Sequence, residues 1–178
     1  MKGLKTSVIS IFAVGLLVGS AVGVAAQEEA AYFTGKVTPG SDNVDATFEE
    51  EDGVQLARDE MRLGDTIETT DSRMSGMLST ESNADIHIVS DTGFVMPLTT
   101  AWRIENDGGA WSGQGTGLSH FLDGDQVTIQ TVVLTGEDGY DGMTAVIAYQ
   151  PQGAGPDAVT GVVFPREMPP FPEAPPAE

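Results

Sequence analysis

The sequence of 178 residues contains no cysteine. A chain without cysteine forms no disulfide, has no thiolate nucleophile and cannot build a cysteine-based zinc site. The same absence excludes a lipid-modified N-terminal cysteine. Backbone ladders and a packed core must therefore hold the folded protein together without covalent cross-links.

Positive charge is scarce as well. The chain has 8 Lys and Arg residues against 27 Asp and Glu residues, which gives a formal net charge of −19. Because affinity for a phosphate backbone needs clustered Lys and Arg, the composition predicts no nucleic-acid partner. Hydrophobic residues make up 40 % of the chain, which is enough for a core.

Recognisable catalytic motifs are missing. The chain has no Gly-x-Ser-x-Gly elbow, no His-Glu-x-x-His helix and no P-loop. Acidic pairs such as Asp123 with Asp125, or Asp138 with Asp141, offer oxygen ligands to calcium, but none has the spacing of the twelve-residue calcium loop. We therefore expect no cofactor and no metal site, and the sequence leaves open whether the protein is an enzyme.

The N-terminus has the pattern of an export signal. Lys2 and Lys5 precede an uncharged run at residues 8–24, and the small residues Val24-Ala25-Ala26 then lead into a polar segment. This pattern is typical of a secretory signal peptide over residues 1–26. Removing these 26 residues with their two lysines would leave 152 residues and a net charge of −21.

Export has consequences for location. We expect a secreted, extracellular or cell-envelope protein with no membrane contact after cleavage; an uncleaved anchor over residues 8–26 is the alternative. Exported proteins without disulfides are common in bacteria, so we also expect a bacterial source.

The rest of the chain predicts strands, because hardly any segment has a helical period. Turn residues such as Asp52-Gly53 and Asp123-Gly124 separate short runs and suit tight hairpins. Eleven strands are predicted, at 31–38, 44–50, 54–59, 61–69, 73–80, 84–90, 96–105, 110–119, 126–135, 143–150 and 158–164. The fold class is therefore all-β, with one domain over residues 27–164.

Hairpin spacing makes neighbouring strands antiparallel, in a closed barrel of about eight strands or in a two-sheet sandwich. We favour the barrel because closure removes exposed strand edges. Alternation places Leu98, Trp102 and Ile104 on one face. By the same rule, Arg62 lies opposite Ile67.

The C-terminal segment differs in composition. Six of the fourteen residues from Pro165 to Glu178 are proline. Proline favours an extended conformation without sheet pairing, so residues 165–178 are expected to be a disordered acidic tail. The alternative is a spacer or docking segment anchored by Phe171.

A short pattern occurs twice, in Trp111-Ser112-Gly113 and Tyr140-Asp141-Gly142, where an aromatic residue stands two positions before a glycine. In a strand these two positions share a face, and the glycine leaves room for a ring or a crossing backbone. Gly113, Gly115 and Gly117 leave one strand face bare, which allows tight coiling. A functional alternative is that Trp111 and Tyr140 line a cavity mouth.

The run Thr135-Gly136-Glu137-Asp138-Gly139-Tyr140-Asp141-Gly142-Met143 resembles the glycine-rich strand signature of allene oxide cyclase-like and dirigent-like β-barrels. With the preceding glycine run and the apolar strand at 127–135, the resemblance covers roughly residues 99–150. It implies an eight-stranded antiparallel barrel with a central cavity. No residue matches the polar catalytic set of the cyclases or the acids of the dirigent proteins, so no activity is carried over.

Five side chains are candidates for ligand binding: Arg73, His87, Trp102, Trp111 and Tyr140. An arginine such as Arg73 can bind a carboxylate, although its partner in so acidic a chain is more often an internal Asp or Glu. His87 lies on one strand face with Asp85, and Trp102 belongs to the apolar face of its strand.

These observations predict a non-catalytic exported barrel that binds a small apolar ligand or acts as a cell-surface module. The alternative is an isomerase or cyclase-type enzyme that folds a flexible molecule in the cavity. The sequence shows no interface signal and leaves the oligomeric state open.

Overall fold

The computed structural model describes residues 30–151 and 156–170. The predicted signal peptide and the end of the proline-rich tail lie outside these residues. The described chain forms ten strands: β1 (Ala31–Thr38), β2 (Asp42–Val44), β3 (Thr47–Glu51), β4 (Val54–Thr69), β5 (Gly76–Ser90), β6 (Gly93–Asn106), β7 (Gly109–Leu122), β8 (Asp125–Asp138), β9 (Thr144–Gln150) and β10 (Asp157–Phe164). A 3₁₀ turn at Ser72–Met74 is the helical element of this part of the chain.

The strands form one antiparallel sheet that closes into a ring. From β4 to β10, each strand pairs with its sequence neighbour. The first strand closes the ring, because β1 pairs with β10 on one side and with residues 66–69 of β4 on the other. The predicted antiparallel barrel is thus confirmed.

The wall of the barrel has eight positions, because β2 and β3 continue the path of β1 along β4. Predicted strand boundaries were wrong at three places. The runs 54–59 and 61–69 form the single strand β4. Residues 76–80 and 84–90 lie in the single strand β5, whereas residues 73 and 74 belong to the 3₁₀ turn. The run 44–50 is divided between the end of β2 and β3.

Two bulges change the facing of side chains along β4. From Ala57 to Glu60, β4 advances by three residues while its partner β5 advances by two. The same happens from Arg62 to Asp65. Asp59 and Gly64 adopt positive φ angles of 58° and 75° within these steps. An extra residue on one strand reverses the alternation beyond it.

The predicted facing of Arg62 was therefore wrong. Simple alternation placed it opposite Ile67, yet both side chains lie on the inner side of the barrel. The second bulge lies between them, so the next inward residue after Arg62 is Asp65, three positions on instead of two.

The core fills one end of the barrel. Trp111, Met74 and Ile104 are fully buried there, together with Leu134 and Val163. The bare glycine face of β7 supports this packing. Gly113 pairs with both Trp102 and Leu134, and a Cβ atom at Gly113 would overlap the carbonyl oxygen of Val133.

The positive φ angle of Gly64 at the second bulge gives a prediction about stability. A side chain at residue 64 meets no neighbouring atom, so the cost of substitution comes from the positive φ alone. We expect Gly64→Ala to lower the free energy of unfolding by about 1 kcal/mol. Gly64→Asn should cost less, because asparagine tolerates this conformation. Denaturant unfolding measures both, and equal stability of Gly64→Ala and the unsubstituted protein would contradict the geometry.

Candidate functional site

The opposite end of the barrel holds a cavity of about 350 Å³. The inward side chains of β4, β5 and β6 form most of its wall, with further contributions from β3, β8 and β9. The cavity opens to solvent at its rim, where Phe48 is 59 % exposed and Glu60, Gln126 and Pro151 are also exposed.

The outer half of the cavity is mostly apolar. Phe48 of β3 pairs with Ala57 of β4, which pairs in turn with Ala84 of β5. Three larger side chains, Ile86, Met96 and Leu98, complete this part of the wall. The surface suits the apolar body of a small molecule.

The inner end of the cavity carries an ionic cluster. Asp65 is 1 % exposed. Its Oδ2 lies 3.0 Å from Nη2 of Arg62, and its Oδ1 accepts a 2.7 Å hydrogen bond from the backbone N–H of Gly40. Nη1 of Arg62 lies 3.9 Å from Oδ2 of Asp157, which also accepts a hydrogen bond from the hydroxyl of Tyr149. One guanidinium is thus shared by two carboxylates.

The environment fixes the protonation of Arg62 and Tyr149. Burial opposes the charge of Arg62, but Tyr149, Asp65 and Asp157 together raise the pKa of its guanidinium, so the cation is retained. Burial, and then the hydrogen bond and charge of Asp157, raise the pKa of the Tyr149 hydroxyl far above its ordinary value. At neutral pH Tyr149 is therefore a neutral donor.

Trp102 forms part of the wall beside this cluster. It is 3 % exposed, and its ring meets Tyr149 edge to face with ring centroids 5.2 Å apart. Trp102 of β6 is paired with Thr80 of β5, which is paired with Arg62 of β4, and all three side chains face the cavity. The indole Nε1 of Trp102 has no hydrogen-bond partner among the described residues.

A buried amide and a buried hydroxyl complete the polar lining. Nε2 of Gln130 donates a hydrogen bond to Oγ1 of Thr100, and both side chains are buried. Gln130 is also paired with Tyr149 across β8 and β9. The hydrogen bond to Thr100 joins β8 to β6 over Gly115 of β7, where a Cβ atom would meet both polar groups.

Of the five predicted ligand-binding residues, the structure brings one, Trp102, to this cavity. Trp111 and Tyr140 stack at the filled end with ring centroids 5.0 Å apart. Nε1 of Trp111 donates to the carbonyl oxygen of Arg73 at 2.8 Å, and Arg73 forms a 2.7 Å ion pair with Asp71. This cluster plugs the barrel and does not line the cavity.

His87 lies on the outer face of β5 and is exposed, whereas its neighbour Ile86 points inward. On the neighbouring strand β6, Arg103 and Glu105 form a surface ion pair at 2.8 Å. Sequence reasoning found neither Arg62 nor Asp65, because it placed no bulge between them. The available signal was Gly64, since a glycine inside a strand pattern often marks a bulge.

Over residues 30–151 and 156–170, no three His, Asp or Glu side chains are placed to share a metal ion. No helix within these ranges has the length and apolar character needed to cross a membrane.

Comparison of the chain with protein-family models, with curated proteins and with solved structures gives no match.

The buried ion pair gives a mutational prediction. Arg62→Met leaves the buried Asp65 carboxylate without its guanidinium, so we expect a loss of about 2–4 kcal/mol in the free energy of unfolding. The double variant Arg62→Met/Asp65→Asn removes both charges and should recover part of that loss. Denaturant unfolding at neutral pH checks this, and a double variant less stable than Arg62→Met would contradict the pairing.

Tyr149 gives a prediction on pH dependence. Its folded-state pKa is raised, so its contribution to stability is present below about pH 10, where a tyrosine in the unfolded chain ionises. This contribution is lost as the pH rises further. We expect the unfolding free energy of the unsubstituted protein to fall more steeply between pH 9 and about 11 than that of Tyr149→Phe. Parallel pH profiles would contradict the burial of this hydroxyl.

Proposed function

We propose that the protein is an exported, non-catalytic binding module that holds a small, mostly apolar molecule in the barrel cavity. The observation that carries this proposal is the unequal filling of the barrel. One end is plugged by the Trp111 cluster, whereas the other retains about 350 Å³ of space. Ligand pockets in proteins span roughly 300–1,000 Å³ and are mostly apolar with a few polar groups.

The composition of the wall supports binding over a purely structural role. A barrel whose interior serves only stability is expected to fill it with side chains at close packing. Here the exposed Phe48 and the partly buried Met96 and Leu98 leave apolar surface facing an open space. The apolar surface of a ligand would remove this area from water.

The setting of the module is proposed from the sequence. The export-signal pattern of residues 1–26 supports a location outside the cytoplasm, as a secreted or cell-envelope protein. The lack of cysteine in an exported chain supports a bacterial source. Its strong negative charge favours solubility and disfavours nucleic acid and anionic membranes. The glycine and aromatic pattern of residues 99–150 supports kinship with allene oxide cyclase-like and dirigent-like barrels.

Filling the cavity should abolish binding. The neutral fluorescent probe N-phenyl-1-naphthylamine should bind the unsubstituted protein at one site. Ala84→Phe, which projects into the cavity, should weaken this binding roughly tenfold or more, because the ring occupies the space of the probe. Ala101→Phe is the matched control, because Ala101 is exposed on the outer face of β6. Fluorescence titration measures all three proteins, and equal affinity of the two variants would contradict the proposal.

One observation favours the second candidate, an isomerase or cyclase-type enzyme. Charged groups face the cavity, since Arg62 and Asp65 form part of its wall beside Tyr149. Such groups can polarise a bound molecule or move a proton within it. Isomerisation leaves the mass of a compound unchanged. The test is therefore the NMR spectrum of a compound that binds in the cavity, recorded before and after incubation with the protein. An unchanged spectrum supports the binding module, and a new isomer supports the enzyme.

A further inference from the structure

The wall of the cavity contains a buried hydrogen-bond donor that the fold leaves unused. Trp102 is 3 % exposed, yet its Nε1 donates to no group in the described part of the chain. Buried donors in proteins are almost always paired, so an unpaired donor in a cavity wall points to an occupant that supplies an acceptor.

The other tryptophan shows that this barrel can satisfy a buried indole. Trp111 lies on the neighbouring strand, is fully buried, and donates from Nε1 to the carbonyl oxygen of Arg73 at 2.8 Å. Trp102 faces the cavity, whereas Trp111 faces the plug. The difference between the two indoles coincides with the difference between the open and filled ends.

Three polar side chains around Trp102 have partners. The Tyr149 hydroxyl donates to Asp157, and the Gln130 amide donates to Thr100. The Arg62 guanidinium lies between Asp65 and Asp157. Among the described residues, Nε1 of Trp102 is the buried side-chain polar atom that has no hydrogen-bond partner.

The charges around the cavity disfavour an anion. Two carboxylates, Asp65 and Asp157, face one guanidinium, Arg62, and the carboxylate of Glu60 lies at the rim. An anionic ligand would have to compete with Asp65 and Asp157 for Arg62 and would meet the repulsion of all three acids. An uncharged acceptor oxygen does not carry this penalty.

We propose that the occupant is an uncharged molecule with an apolar body and a carbonyl-type acceptor oxygen, which accepts a hydrogen bond from Nε1 of Trp102. Ketones and esters belong to this class. The inference rests on the proposed function, because it requires that the cavity hold a ligand. It adds the chemical class of that ligand and the atom that recognises it.

The test compares three probes of matched chain length: 2-nonanone, nonanoate and nonane. Each is titrated into the unsubstituted protein and into Trp102→Phe, which keeps an aromatic ring but removes the N–H. We expect the substitution to weaken 2-nonanone binding about 5- to 10-fold, the effect of one net hydrogen bond, and to change nonane binding less than about twofold. Nonanoate should bind the unsubstituted protein more weakly than 2-nonanone does.

The indole protons supply a second, direct measurement on the unsubstituted protein. Its ¹⁵N–¹H spectrum contains 2 indole signals, and the one absent from Trp102→Phe belongs to Trp102. Saturation with 2-nonanone should move the Trp102 indole proton downfield, as a new hydrogen bond does, and leave the Trp111 signal in place. This measurement still decides the question if Trp102→Phe fails to fold, because Trp111→Phe provides the same assignment.

The results distinguish a failure of the carbonyl-ligand proposal from a failure of the proposed binding function. If nonane and 2-nonanone both bind but Trp102→Phe affects them equally and the indole signal stays fixed, the acceptor proposal is overturned and the binding module stands. Tighter binding of nonanoate than of 2-nonanone would overturn the preference for an uncharged ligand. If neither these probes nor N-phenyl-1-naphthylamine binds, the proposed function itself fails.

Discussion

The pairing of β1 with both β10 and β4 is the constraint on which this structure depends. Without it the sheet would have two long edges, and a chain without cysteine has no covalent means of holding them together. Closure turns a series of hairpins into a barrel with an inside. The plug, the cavity and the ionic cluster all exist because the ring is complete.

Within the closed wall, local irregularities decide what faces inward. Each bulge on β4 adds a residue and reverses the alternation beyond it, so Ala57, Glu60, Arg62 and Asp65 all face the interior. A regular strand would have sent either Arg62 or Asp65 to the surface. The site thus takes its charged groups from the places where the strand departs from a period of two.

The strands and their antiparallel ring could be predicted from turn residues and from the alternation of apolar and polar side chains. The same alternation predicted that Trp102 faces inward. The facing of Arg62 could not, because its position depends on a register shift that only pairing with β5 reveals. The pattern of Trp111 and Tyr140 with glycine does not distinguish residues of a cavity mouth from residues of a packed plug, because both use aromatic rings against glycine. The structure places them at the filled end, next to Arg73.

The all-β class, the antiparallel order, the lack of disulfides and the acidic charge could all be read from the amino-acid sequence. These properties follow from composition, from turn residues and from the period of side chains along the chain. Three features are visible only in the folded chain: which end of the barrel is filled, which acids share Arg62, and the unpaired donor of Trp102 in the cavity wall. Those features arise from contacts between strands far apart in the chain, which are specified only when the ring closes and the register is fixed.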